Sequence, residues 1–113
     1  MKKTAPLFLF LLGAACMPKA APPPLALVPN QVELAKKKDA NVTEEQLENG
    51  RKVFVGKCGE CHDHPDLTSV RLSKWPAILK DMVEKGDFEK DTVAVAELNT
   101  FVLTAAEAAG AQP

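Results

Sequence analysis

Cys58, Cys61 and His62 stand in the run Cys58-Gly59-Glu60-Cys61-His62, a C-x-x-C-H spacing. Two cysteines three positions apart lie on one side of a helical turn, so both thiols can add across the two vinyl groups of one porphyrin. The histidine directly after Cys61 then sits under the ring, where its Nε2 can take the iron from the proximal side. This spacing is the attachment signal of a covalently held c-type haem, and one haem c is the expected cofactor. Two other chemistries use the same residue types. A redox dithiol belongs where a strand feeds a helix, whereas the residues before Cys58 read as helix. Structural zinc would take Cys58, Cys61, His62 and His64, four ligands within seven residues. Zinc sites draw ligand pairs from separated segments, which this run does not offer.

The start of the chain speaks of location. Lys2 and Lys3 precede the apolar run Leu7-Phe8-Leu9-Phe10-Leu11-Leu12, and the small residues Gly13-Ala14-Ala15 lead to Cys16. Residues 1–15 therefore read as an export signal. The apolar run falls well short of the ~20 residues needed to span a bilayer. Cys16 has no obvious disulfide partner, and its place after small residues resembles the lipobox of bacterial lipoproteins. Gly13 stands where that pattern favours leucine, with Leu12 one place earlier. Lipidation of Cys16 is the expectation, giving a protein held on the periplasmic side of a bacterial membrane. The alternative is ordinary secretory cleavage, after Ala15 or near Ala20-Ala21. Residues 16–42 read as a tether: Pro18, Pro22, Pro23, Pro24 and Pro29 make the first part stiff and extended. Gln31 to Asn41, with Lys36-Lys37-Lys38, is polar and partly helical in character.

Residues 43–113 form the expected domain, small enough that its core commonly needs a staple such as a metal or disulfide. From Thr43 onward there are eight Lys/Arg and thirteen Asp/Glu, a net of −5. That charge excludes nucleic acid as an expected partner and favours a basic docking patch. Three helices are expected. The first opens on the capping box Thr43-Glu44-Glu45-Gln46 and runs through Leu47, Gly50, Val53 and Phe54 to Lys57. The second opens near Ser73, tolerates Pro76 in its first turn, and carries Trp75, Ile78, Leu79, Met82 and Val83 on one stripe, with Gly86 as its stop. The third starts between Asp87 and Asp91 and runs to about Ala108, with Leu98, Phe101, Val102 and Ala105 at helical spacing and Glu97 and Glu107 away from them. Nothing reads as a strand, so the fold class is all-α. Asp63, Asp66, Asp87, Glu89 and Asp91 read as caps and solvated surface.

The run from Gly50 to His62 resembles the N-terminal helix and haem motif of class I cytochromes c. In that family a glycine followed four residues later by an aromatic packs the first helix against the last, and Gly50 and Phe54 match. Phe101-Val102 fits the aromatic-aliphatic pair of the last helix, with phenylalanine where tyrosine is common. The resemblance covers roughly Thr43 to Ala108 and implies about three helices wrapped around one covalent haem. It also implies a methionine sulfur as the second axial ligand. Met82, twenty residues after His62, is the candidate, against the alternative of a core methionine. His64 reads as a loop histidine, exposed or near a propionate. Trp75 reads as core or haem-edge packing, with a hydrogen bond from its indole N–H to a propionate as one use of that donor.

These residues together suggest a one-electron carrier, not an enzyme, which meets redox partner proteins by small, transient docking. A gas-binding or sensing haem protein requires Met82 to be merely core. An electron-relay subunit of a larger redox enzyme is the third expectation.

Overall fold

The computed structural model describes residues 19–58 and 64–113 of the 113-residue chain. Four α-helices occur among them: α1 Gln31–Lys38, α2 Glu44–Val53, α3 Trp75–Lys85 and α4 Thr92–Ala108. Among the described residues there is no strand, only an isolated bridge between Ala20 and Pro65, so the fold is all-α.

Local signals set the helix ends. Thr43 Oγ1 accepts from the Gln46 amide at 3.2 Å while Gln46 Oε1 accepts from the Thr43 amide at 3.0 Å. This reciprocal cap satisfies two first-turn donors that the helix itself cannot. Beyond Val53 the chain stays helical but widens into a π turn, Phe54–Cys58, which carries it to the first cysteine of the motif. Pro76 lies in the first turn of α3, directly after a 3-10 turn at Leu72–Lys74. Gly86 caps the end of α3 with a φ of −79°, and the left-handed conformation falls to Asp87 at φ 56°. Asp91 starts α4 by accepting from the Ala94 amide at 3.1 Å.

The core lies where α2 and α3 meet α4. Trp75, Leu79 and Val83 form the buried stripe of α3, and Leu98, Phe101, Val102, Ala105 and Ala106 that of α4. Phe54 fills the space between them, its ring centroid 5.8 Å from that of Phe101 at a tilt of 49°. Offset, tilted rings at this separation place the electropositive edge of one near the face of the other.

The tether expected over residues 16–42 is not free of the domain in its described part. α1 docks on α4 through Ala35 and through Gln31, whose side chain is fully buried. Gln31 Nε2 donates to the Phe101 carbonyl and to Thr104 Oγ1, both at 3.0 Å, and Gln31 Oε1 accepts from the Val28 amide at 3.0 Å. A buried amide with its donors and acceptor engaged carries little desolvation penalty, which is why so polar a helix can pack. Arg51 Nη1 donates to the Pro24 carbonyl at 3.1 Å, and Lys38 pairs with Glu107 at 2.9 Å. Farther toward the start, Lys19 to Ala21 runs beside His64 to Asp66. The Ala21 amide donates to the His64 carbonyl at 2.8 Å, and the Asp66 amide donates to the Lys19 carbonyl.

Candidate functional site

Of the residues singled out for chemistry, Cys58, His64, Trp75 and Met82 are described; Cys16, Cys61 and His62 lie outside the described residues. Cys58 closes the π turn. It is 7% exposed and shares one apolar cluster with Phe54, Trp75 and Leu79. Burial pushes its thiol up to about 11, because the low-dielectric surroundings disfavour the thiolate. At neutral pH Cys58 is therefore a protonated thiol in an apolar setting.

Lys57 Nζ lies 6.0 Å from the ring centroid of Phe88, just after Gly86 and Asp87. Met82 is half-buried on α3. It sits with Ile78 on the flank of the stripe whose centre is Trp75, Leu79 and Val83. Leu67, Val70 and Leu72 also pack against the cluster that contains Cys58 while keeping part of their surface open. Half-open apolar side chains on the cluster that includes the buried Cys58 are, in their chemistry, compatible with a flat apolar ring. Cys58 would hold it covalently, and Met82 is the described side chain that offers a thioether sulfur.

Two expectations about neighbouring residues change. Trp75 does not keep its indole N–H for a propionate: the ring is fully buried and Nε1 donates to the Leu67 carbonyl at 3.1 Å. A buried indole N–H needs an acceptor, and the loop carbonyl eight residues earlier supplies it. His64 is not an exposed loop residue. It is half-buried, its Nε2 lies 2.9 Å from the Val55 carbonyl, and its ring centroid lies 5.6 Å from that of Phe54. Glu97 also sits closer to the packing than its place off the apolar stripe suggests. Its Oε2 is buried without a hydrogen-bond partner among the described residues.

Three features were beyond sequence reasoning. Asn30 before Gln31 is a fair start signal for α1, but nothing local says that Gln31 will be buried. The π turn leaves no mark in the residue types Phe54-Val55-Gly56-Lys57-Cys58. The third feature is an open groove of about 590 Å³ lined by Leu25, Ala26, Leu27, Glu44, Glu45 and Glu48. It lies at the opposite end of α2 from Cys58, roughly 20 Å away along the helix. There the hydrogen bond from Arg51 holds the Glu48 carboxyl below its usual range.

Among the described residues no helix is long and apolar enough to cross a membrane. Compared with protein-family models, with curated proteins and with solved structures, the chain matches none.

Proposed function

We propose that this chain is an exported one-electron carrier with a single haem c, attached through Cys58 and Cys61 and ligated by His62 and Met82. The observation that carries the reading is the setting of Cys58, the first residue of the C-x-x-C-H run. The run begins at a buried cysteine, at the end of a helix whose Gly50 and Phe54 pack on Phe101 of the last helix. This is the crossing that the resemblance to class I cytochromes c leads one to expect. Bound there, haem iron supplies a one-electron couple, and Met/His ligation raises its potential relative to two nitrogen ligands.

The chain's own residues have separable tasks. Cys58 and Cys61 would hold the group covalently, and His62 and Met82 would bind its iron. Leu67, Val70, Leu72 and Ile78 would help to shield it from water. The net of −5 from Thr43 onward favours a partner with a basic docking patch. Lipid on Cys16 would hold the domain close to its membrane. Lys19 already packs on the domain, so only about 10 Å of chain separates the two. That proximity raises the effective concentration of the domain near membrane-bound donors and acceptors.

An alkaline pyridine spectrum of periplasmically matured protein tests the reading. A c-type spectrum with two thioether links, and pigment that stays with the protein in acidified acetone, is the expected result. Colourless protein, or pigment lost to acetone, would end it. Half-burial of Met82 on the apolar flank of α3 also suits a second reading, a gas-binding haem protein with an open distal position. Rapid, tight binding of carbon monoxide by reduced protein would favour that reading, and poor binding at neutral pH the carrier.

A further inference from the structure

We propose that the groove beside the start of α2 is a docking site for a basic segment of a partner protein. Leu25, Ala26 and Leu27 form its apolar side, and Glu44, Glu45 and Glu48 its acidic side. The site stands apart from the haem reading and shares with it only the expectation of a basic partner. Leu25 is 89% exposed, the most open large apolar side chain among the described residues. Its backbone is nonetheless fixed on both sides. Before it, Arg51 Nη1 donates to the Pro24 carbonyl at 3.1 Å. After it, the Val28 amide donates to Oε1 of the buried Gln31 at 3.0 Å, and Leu27 and Val28 pack against the core cluster. A leucine held out to water by a pinned backbone loses little freedom on association, which favours binding there.

The charge beside Leu25 selects the occupant. Arg51 donates to the Glu48 carboxylate through Nε and Nη2, so that negative charge is already matched. Glu44 and Glu45 are exposed, and neither has an ion-pair partner among the described residues. Both suit the positive end of α2, but helix capping needs no open leucine at their side. A neutral apolar segment laid in the groove would strip water from these carboxylates without replacing it. Lysine or arginine meets both demands with one side chain: the aliphatic stem covers Leu25 and Leu27 while the cationic head reaches the carboxylates. An apolar centre with a polar rim is also the ordinary anatomy of a protein interface. With roughly 20 Å of helix between the groove and Cys58, a partner seated here leaves the cysteine end of α2 open.

The test titrates a fluorescent peptide of alternating lysine and leucine into the full chain and follows its anisotropy. Saturable binding that weakens with salt is expected, with amide shifts confined to Leu25, Ala26 and Leu27 and to the first two turns of α2. An alternating glutamate–leucine peptide should not bind, and a lysine–serine peptide should bind more weakly than lysine–leucine. Leu25→Ser and the pair Glu44→Gln/Glu45→Gln should each weaken binding about fivefold. The pair Glu84→Gln/Glu89→Gln removes the same charge from exposed positions elsewhere and should leave binding unchanged. No binding, shifts spread over other surfaces, or equal weakening by the two glutamate pairs would overturn the proposal. So would sedimentation showing that the chain alone self-associates through Leu25, since a second copy would then fill the groove. Should the Glu44/Glu45 variant not fold, Leu25→Ser and the wild-type shift map decide. If no form of the protein takes haem, the proposed function fails, while the peptide results still decide the groove.

Discussion

Gly50 faces the main chain of Glu97 so closely that a Cβ built on the glycine would overlap the Glu97 carbonyl and stand 2.6 Å from the Cβ of Phe101. The atom in the way is backbone, which cannot swing aside, so α2 and α4 would have to separate. Gly50→Ala gains ~0.5–1 kcal/mol in helix propensity but loses more to overlap. The expected net effect is a destabilisation of about 2 kcal/mol, read from urea unfolding followed by Trp75 fluorescence. Gly56→Ala is the control: among the described residues a Cβ there meets nothing within 4 Å, so stability should hold or rise slightly. Equal behaviour of the two variants would refute the close crossing.

Gln31 is the polar hinge pin of the first described helix. Replacing it with leucine leaves the Val28 amide without its 3.0 Å acceptor and removes both donors to α4. Gln31→Leu should cost ~1–3 kcal/mol. It should also speed proteolysis selectively between residues 19 and 42. Cleavage there at the wild-type rate would mean that α1 is not held by this side chain.

In the haem-free chain, the Cys58 thiol is raised from 9.0 to about 11 by burial. An acid whose folded value lies above its unfolded one stays protonated longer in the native state. Its contribution to stability is complete below pH 9 and is lost as pH rises through about 11. Alkylation followed by peptide mapping should therefore find Cys58 slow to react in the folded chain at neutral pH and quick after denaturation. Stability of the haem-free chain should decline from pH 9 upward, and this slope should be missing in Cys58→Ala. A thiol that reacts at the rate of a free cysteine in the native chain would contradict its burial.

Met82 and Ile78 share a flank of α3, which allows ligation to be separated from packing. Met82→Ala is expected to lower the midpoint potential and to abolish the sulfur-to-iron charge-transfer band of the ferric protein. Ile78→Ala removes a comparable apolar contact and should cost ~1 kcal/mol or more while leaving that band in place. A band that survives the loss of Met82 excludes it from the iron.

Much of the fold was legible because its determinants are local. The Thr43–Gln46 cap, Pro76 in a first turn and the buried stripes of α3 and α4 each depend on residues within a turn or two of one another. The glycine stop of α3 was legible only in part: Gly86 caps the helix, yet Asp87 takes the left-handed position one residue later. Glu97 was placed off the apolar stripe, but its main chain lies at the helix crossing because Gly50 has no side chain to keep it away.

By itself the sequence determined the helical register, since it is written in residue type and short spacing, while the resemblance to class I cytochromes c supplied the crossing residues Gly50, Phe54 and Phe101. Tertiary structure alone decided that Gln31 would be buried, that the proline-rich stretch would lie against the domain, that Trp75 would spend its N–H on Leu67, and that His64 would reach Val55. All four are choices of a partner for a polar group. Such a choice depends on which carbonyl or amide the fold brings within about 3 Å, at separations of up to 73 residues in this chain, and no local pattern encodes it.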